Sequence, residues 1–500
     1  MKTAIVGLIN EFQANKAIRN DPIYLIVQQD RRNRSFMKLV YLFIIVKSSF
    51  MGLIGCENIR DKNSSSATLS EDLGNNSEPP VLEIVESEKK TLVFDQLQHP
   101  CIKDGARGAD APLRAIRDGR DVLHLFMPNV INMQLYGTNY NNLKLDCNPV
   151  LISRGWQDVR KPQPHEFDDA HWVGGLFYSA ANDAIFAYTT ADWREKRHDR
   201  MGRVRYPSEH NKECWPDTSS TGKAKPCWYS GINSFVAELA GSSILNPHVN
   251  FKLNKSESKP SSSAVAVFPR IKWDPETSAA SPVGFKAPSN IFAGYHDSET
   301  KEPYFYMFVH TSGGAPGQER GVCLLRTKTP EDNVSWQAYS RHLESVVFDV
   351  KFKNPYSDET NNERSCTPIN PEIFTSPIRS VLWHPQSKHY IALVYLRYNQ
   401  VRGLYYLTSK NLINWSEPMK LLAGCSIYTA KAQQRNQIIN EECDQSDHGI
   451  DYPSLIDWAH RGHNFDTLVD EGSAFLYYIQ IDTKTSMREV FRRRVHVSNY

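Results

Sequence analysis

The sequence predicts an all-β fold, a five-bladed β-propeller with long insertions between its strands. The first observation is local. From about Thr91 onward, apolar and aromatic runs of about four to eight residues alternate with Gly, Pro, Asn and Asp, without long helical periodicity. The second observation is a repeat: a polar opening, an apolar strand, a turn and an aromatic return strand recur five times.

These repeated units predict a propeller, because radial packing of small antiparallel sheets hides their edges. A β-sandwich is the alternative, and it predicts no fivefold recurrence. The openings lie roughly 60 to 115 residues apart, so insertions interrupt the units, most clearly at residues 252–281. The units are DAPLRAIRDGRDVLHLFMP from Asp110, HWVGGLFYSAANDAIFAYTTADW from His171, KAPSNIFAGYHDSETKEPYFYMFVH from Lys286, SPIRSVLWHPQSKHYIALVYL from Ser376, and DYPSLIDW from Asp451 with the return SAFLYYIQID.

A candidate secretory signal precedes the repeats. Met37 starts MKLVYLFIIVKSSFMGLIGC, a basic start followed by an apolar run and small residues. The last four residues resemble the lipobox of bacterial lipoproteins, in which the cysteine, here Cys56, is acylated and becomes the mature N-terminus. A short membrane anchor or a buried helix is the alternative. Lys47 disfavours a spanning helix, because a charge at the bilayer centre is costly.

These features divide the chain into four parts. Residues 1–36 precede a complete signal and are a mis-assigned start or a disordered extension, and residues 37–55 are the signal peptide. Residues 56–90 are a tether rich in Ser, Asn and Glu, with too few apolar residues for a core. Residues 91–500 form the propeller. The expected protein is lipid-anchored to a bacterial membrane and faces the periplasm or the cell exterior.

Eight cysteines remain when Cys56 is set aside, and an even number outside the cytoplasm suggests disulfides. Buried free thiols are the alternative. No Cys-x-x-Cys or His-x-x-x-His pair indicates zinc, so no metal or cofactor is expected, and a structural calcium is left open. The simplest pairing joins sequence neighbours: Cys101–Cys147, Cys214–Cys227, Cys323–Cys366 and Cys425–Cys443.

The repeats from Asp110 to about Asp482 resemble the five-bladed propeller glycoside hydrolases, the group of arabinanases, xylosidases and invertase-like enzymes. The resemblance rests on openings of the Asp-x-Pro and Ala-Pro-x-x-Ile kind and on Ser409, Leu412 and Trp415 in a Ser-x-x-Leu-x-x-Trp motif. It implies a funnel where carboxylates face each other across a sugar ring. One carboxylic acid protonates the leaving oxygen, and another carboxylate activates water or attacks carbon.

The resemblance implies that Asp110 is the catalytic base, since relatives usually take it from the first blade. A turn aspartate bonded to its own backbone is the alternative. The acid is harder to place, because relatives carry a glutamate before Ala-Pro where this chain has Lys286, a poor proton donor at neutral pH. Glu372 and Asp451, with Asp457 beside the latter, are candidate replacements. Each has an ordinary surface or turn carboxylate as its alternative.

Eight residues near the openings are candidate ligand contacts. A guanidinium fork suits a carboxylate or sugar hydroxyls, an indole suits stacking on a sugar, and a lysine suits a carboxylate. The structural alternatives are core packing for the tryptophan, an ordinary structural role for the histidine, and turn capping for the serine and asparagine. The candidates are Arg114, Trp172, Lys286, Ser289, Asn290, His310, Arg379 and Tyr452.

The sequence therefore predicts an extracytoplasmic lipoprotein that hydrolyses glycosidic bonds with funnel carboxylates, monomeric and bound to carbohydrate. A non-catalytic propeller that binds glycan or a protein is the alternative. A sialidase is disfavoured because the strict Asp-box is absent, and a serine hydrolase because no Gly-x-Ser-x-Gly elbow occurs. A net charge of +2 with interspersed signs argues against a nucleic-acid binder.

Overall fold

β-strands, 25 in all, are the named elements in the described part of the chain. The computed structural model describes residues 78–96, 108–153, 167, 170–193, 229–239, 247–254, 264–274, 282–294, 303–342, 345–357, 365–427, 449–469, 474–481 and 487–498. These residues belong to one unit of the chain, Ser65–Tyr500. The predicted signal and Cys56 lie outside the described residues. No helix within the described segments has the length and apolar character needed to span a membrane.

The first antiparallel unit is a four-stranded sheet whose strands follow the order of the sequence. Two strands precede it along the chain, β1 (Val81–Ile84) and β2 (Thr91–Asp95), and both pair with the end of the chain instead. The strands of the first unit are β3 (Arg114–Arg117), β4 (Leu123–Met127), β5 (Ile131–Gly137) and β6 (Lys144–Ile152).

The second and third units share one 11-stranded sheet. The second unit contains β7 (Ala170–Ser179), β8 (Ala184–Trp193), β9 (Tyr229–Glu238), β10 (Lys252–Leu253) and β11 (Val265–Val267). The third contains β12 (Val283–Lys286), β13 (Phe292–Ala293), β14 (Phe305–Thr311), β15 (Gly321–Thr327), β16 (Gln337–His342) and β17 (Ser345–Lys351). A parallel pairing of β9 with β12 joins them, whereas the strands within each unit run antiparallel.

The fourth unit is again four-stranded, and the fifth includes the first two and the last of the described strands. The strands β1 and β2 both pair antiparallel with the last strand, so the final sheet gains its outer strands from the start of the fold. Such pairing removes an open sheet edge. The strands are β18 (Ile378–His384), β19 (His389–Tyr398), β20 (Val401–Ser409) and β21 (Met419–Ala423), then β22 (Cys425–Ser426), β23 (Gly449–Asp457), β24 (Ala474–Ile481) and β25 (Arg488–Ser498).

An apolar core lies between each unit and the next, and a further core joins the fifth unit to the first. Because both faces of a unit are covered, its central strands bury apolar side chains on both faces, as in the consecutive buried residues Ile391, Ala392, Leu393 and Val394 of β19. The predicted all-β propeller class is confirmed, while the count of five blades stays a prediction, since pairing of β9 with β12 merges two units. Representative core pairs are Ile116 and Leu176, Ile232 and Met307, Phe308 and Val381, Leu393 and Leu455, and Ile479 and Leu125.

The Ser-x-x-Leu-x-x-Trp motif is a structural turn. The Ser409 hydroxyl accepts a hydrogen bond from the main-chain N–H of Leu412 at 2.9 Å, and the Trp415 indole donates to the Leu412 carbonyl at 2.9 Å. Leu412 has a φ of 65°, a left-handed conformation that these two bonds hold in place. The motif therefore ends an outer strand and anchors it against the core.

One of the four predicted disulfides is confirmed. Cys323 and Cys366 are bonded, with their Cα atoms 5.9 Å apart. Cys147 and Cys425 are also disulfide-bonded. The other predicted disulfide cysteines lie outside the described residues: Cys101, Cys214, Cys227 and Cys443.

Candidate active site

A pocket of about 470 Å³ takes residues from all five units. It lies where the unit openings meet, which is why the openings identified in the sequence supply most of its wall. Seven of the predicted site residues line it: Asp110, Trp172, Lys286, His310, Arg379, Asp451 and Tyr452.

Backbone irregularities direct these side chains into the pocket. The register of the inner strands shifts between Val173 and Gly175, between Ile378 and Ser380, and between Asp451 and Ser454. A β-bulge re-aims the side chains beside it, and bulges are common next to active sites. Two non-glycine residues of the wall have left-handed backbones, Ala287 with a φ of 53° and Tyr452 with a φ of 59°. Strain of this kind concentrates at functional sites.

Asp110 is a partly exposed carboxylate with two fixed partners. Its side chain is 26% exposed and forms an ion pair with the Arg488 guanidinium on β25. The Tyr452 hydroxyl donates a hydrogen bond to its Oδ1 at 3.1 Å. Asp110 is held at the pocket wall, and its carboxylate remains within reach of a ligand.

Asp451 has the opposite environment. Its side chain is only 4% exposed, with the Arg379 guanidinium 3.4 Å from Oδ2 and the main-chain N–H of Tyr452 2.5 Å from Oδ1. Burial raises the pKa of Asp451, the nearby Asp110 carboxylate adds to that increase, and Arg379, the Tyr452 N–H and Arg488 oppose it. The net effect favours the protonated acid, because burial penalises the charged form.

Tyr452 connects the two carboxyl groups. Its main-chain N–H binds Asp451 and its phenol binds Asp110, while the Arg379 guanidinium lies over its ring at 4.7 Å from the ring centre. One residue therefore orients both acids. The left-handed backbone of Tyr452 is what turns the main chain and the side chain towards different partners.

The side of the pocket formed by the third unit is positively charged. Lys286 ends β12 and pairs in register with His310 on β14. His310 is 4% exposed, and its Nδ1 has no hydrogen-bond partner in the described part of the chain. Burial, followed by the positive charges of Lys286, Arg320 and Arg379, lowers the pKa of His310 to about 3. The imidazole is therefore neutral at physiological pH.

The wall residues that were not predicted from the sequence include Asp192, Arg320 and Tyr395. Asp192 is fully buried on β8, and its only sequence signal is an aspartate within an otherwise apolar and hydroxyl-bearing return strand. Arg488, the partner of Asp110, is also unpredicted. It enters from the last strand, and nothing in the local sequence marks it.

Arg114 lies behind the pocket and not in its wall. Its guanidinium is buried and donates to main-chain carbonyls of three different units, those of Gly174, Pro288 and Arg379. The predicted contact with ligand is therefore corrected to a structural one. Arg114 can bind three carbonyl groups at once because a guanidinium supplies several N–H donors in a fixed geometry.

Ser289 and Asn290 are likewise structural. Ser289 is fully buried and accepts a hydrogen bond from the Phe308 N–H at 3.0 Å. The Asn290 amide makes two bonds with Val381 of the fourth unit, donating at 2.7 Å and accepting at 2.8 Å. The two Asn290 bonds resemble those between paired strands and join the third unit to the fourth. The predicted ligand contacts are therefore corrected: Ser289 caps a main-chain N–H, and Asn290 joins two units.

Glu372 is not near the other candidate acids. It lies in an exposed turn, where the Asn370 side chain contacts it at 3.4 Å, and it is not part of the pocket wall. Asp457 is fully buried and accepts main-chain hydrogen bonds from Ala459 and Val469 at 2.9 and 2.7 Å. Of the carboxylates proposed from the sequence, Asp110 and Asp451 are the two that the fold brings together.

No group of three or more His, Cys, Asp and Glu side chains arranged to hold a metal ion occurs among the described residues. The pocket wall carries carboxyl groups, cations, a neutral imidazole and aromatic rings. Groups of these kinds can form hydrogen bonds, transfer protons and stack on flat ligand faces.

No protein-family model matches the chain, and no curated protein matches it. The fold is similar to solved structures of glycoside hydrolases. One is an α-L-arabinanase from Cellvibrio cellulosa complexed with arabinohexaose, with 12% identity, coverage of 79% of this chain and 92% of that chain, and a TM-score of 0.37. A second is a GH62 α-L-arabinofuranosidase from Coprinopsis cinerea, with 8% identity, coverage of 78% and 93%, and a TM-score of 0.34.

A third is an endo-1,4-beta-xylanase from Bacteroides thetaiotaomicron, with 7% identity, coverage of 78% of this chain and 97% of that chain, and a TM-score of 0.34. The predicted resemblance to propeller glycoside hydrolases is confirmed. At these identities and TM-scores the similarity assigns no activity to this chain.

Proposed function

We propose that the pocket hydrolyses a glycosidic bond, with Asp110 as the base and Asp451 as the acid. The observation that carries this proposal is the contrast between their environments. Asp110 is partly exposed and ion-paired, whereas Asp451 is buried and has a raised pKa. Two coupled carboxyl groups with unlike environments are the arrangement that acid–base cleavage of glycosides requires.

In this proposal the Asp451 carboxyl gives its proton to the glycosidic oxygen as the bond from that oxygen to the anomeric carbon breaks. Asp110 takes a proton from the water whose oxygen forms the new bond to that carbon. Arg488 and the Tyr452 phenol hold Asp110 in place during the step. Trp172 offers an aromatic face in the same wall.

A non-catalytic carbohydrate-binding pocket is the second candidate. It is favoured by the Arg379 guanidinium, which lies 3.4 Å from Asp451 and stabilises the ionised carboxylate against its role as an acid. Lys286 at the opening of the third unit also suits binding better than proton donation. Both candidate functions require the pocket to bind a glycan, and only the hydrolase cleaves it.

The proposal is tested by measuring reducing-end release from a panel of plant and algal glycans across pH. We expect activity to fall at high pH, where Asp451 loses its proton. Because the pKa of Asp451 is raised, the high-pH limb lies above the range of an ordinary carboxyl group. Binding of glycans without release from any of them favours the second candidate.

We also propose that the chain is an extracytoplasmic lipoprotein acylated at Cys56. The Cys323–Cys366 disulfide supports an oxidising compartment, where such bonds persist. Expression in a bacterial host is expected to yield a mature protein that begins at Cys56 and carries acyl chains. Intact-mass and N-terminal peptide mass spectrometry measure this directly. A mature protein that retains residues 37–55 would contradict it, and Cys56→Ser should retain them.

A further inference from the structure

The charges around the pocket do not cancel. Arg488 is ion-paired with Asp110, and Arg379 lies 3.4 Å from the Asp451 carboxyl group. The remaining charged residues of the wall are Asp192, Lys286 and Arg320. One carboxylate and two cations give a surplus of positive charge, and both cations belong to the third unit.

Arg320 is the clearest source of that surplus. Its side chain is exposed at the pocket wall, and no carboxylate in the described segments forms an ion pair with it. Its charge nevertheless reaches into the pocket, since it is one of the three cations that disfavour a proton on His310. An anionic group bound there would meet a cation that forms no ion pair with a carboxylate of the described residues.

His310 is a second, independent sign of a ligand at the same place. It is almost fully buried on β14, lines the pocket, and its Nδ1 has no partner among the described residues. Buried polar atoms in native structures are nearly always hydrogen-bonded, so such an atom at a pocket wall is a place for a ligand group or water. A neutral imidazole can bond a sugar hydroxyl next to an anionic group held by the cations.

We propose that the pocket binds an acidic sugar, one that carries a single anionic substituent, with that substituent held by Arg320 and Lys286 and an adjacent hydroxyl held by His310. The anionic group is a uronate carboxylate or a sulfate ester, since both accept hydrogen bonds from a guanidinium. This inference rests on the part of the proposed function in which a sugar binds in the pocket. It adds that the sugar is acidic.

The test compares sugars that differ only in charge, by ligand-observed NMR on the Asp110→Asn variant of the full chain. The probes are glucose, glucuronate and glucose 6-sulfate, with the same three forms of galactose. We expect at least one anionic form to bind roughly tenfold more tightly than its neutral counterpart. The preference should shrink as sodium chloride is added, because salt screens exposed charges. The uronate and sulfate arms separate the two sources of the anionic group.

Arg320→Gln is expected to remove this preference by weakening the binding of anionic sugars more than that of neutral sugars. Arg397→Gln, which changes an exposed arginine outside the pocket, is the matched control and should retain the preference. If no anionic sugar binds more tightly than its neutral form, or if Arg320→Gln retains the preference, the inference is wrong. Binding of anionic sugars without turnover of any glycan would overturn the hydrolase proposal alone, and turnover of neutral glycans only would overturn this inference alone.

Discussion

Replacing Asp110 with asparagine is expected to lower kcat/KM for glycoside cleavage by about 10²- to 10⁴-fold, the usual contribution of a positioned general base. The replacement is close in shape and can still accept the hydrogen bond from the Tyr452 phenol. It cannot accept a proton from water, and it loses the ion pair with Arg488. The loss should fall on kcat more than on KM, because proton transfer belongs to the transition state.

The measurement is initial rates of Asp110→Asn and wild type on any glycan that the wild type cleaves. Asp121→Asn is the matched control, since Asp121 lies in the same unit, its side chain is 82% exposed and it is not part of the pocket wall. Thermal unfolding of both variants shows whether either loses its fold. Glu372→Gln should behave like the control, because Glu372 lies in an exposed turn outside the pocket.

Three outcomes would contradict the assignment. If Asp110→Asn is folded and retains most of the wild-type rate, Asp110 is not the base. If Glu372→Gln loses activity while Asp110→Asn does not, the acid–base pair lies elsewhere. A loss confined to KM would make Asp110 a binding residue and not the base.

The position of the pocket could be predicted from the sequence because the repeat marks it. The motifs Asp-Ala-Pro and Ser-Pro precede β3 and β18, Lys-Ala-Pro starts at the last residue of β12, and Asp-Tyr-Pro lies within β23. All four motifs contribute residues to the pocket wall. Asp110, Lys286, Arg379 and Asp451 were predicted in this way, and all four line the pocket. A repeated opening thus carries long-range information that a single motif lacks.

Which residue of an opening faces the pocket could not be predicted. In a regular strand, alternate side chains share a face, and a bulge shifts that alternation by one residue. Arg114 and Arg379 occupy similar positions in their openings, yet Arg114 turns to carbonyls of three units while Arg379 reaches Asp451. A shift between Ile378 and Ser380 accompanies the difference, and no residue type signals it.

Residues from distant strands were missed for another reason. Arg488 reaches Asp110 only because the last strand pairs with the first two and closes the sheet. That contact spans most of the chain, so no local pattern encodes it. The charge surplus on the third unit also depends on Arg320, which lies in the loop before β15.

Arg114→Met is expected to destabilise the fold by roughly 3 kcal/mol, since each buried acceptor left without a donor costs about 1–3 kcal/mol. The variant removes the hydrogen-bond donor of the main-chain carbonyls of Gly174, Pro288 and Arg379, which belong to three units. Removal of the buried charge offsets part of this cost. Burial, with the nearby positive charge of Arg379, already lowers the pKa of Arg114 to about 9, which shows how poorly the site solvates a cation.

The measurement is the urea midpoint of unfolding for Arg114→Met beside Arg397→Met, whose arginine is exposed. A joining role predicts a lower midpoint for Arg114→Met alone, together with weaker catalysis, because Pro288 and Arg379 are themselves pocket residues. A ligand-binding role predicts the opposite pattern, a raised KM with an unchanged midpoint. An unchanged midpoint would therefore show that Arg114 does not join the units, and it would support the ligand contact predicted from the sequence.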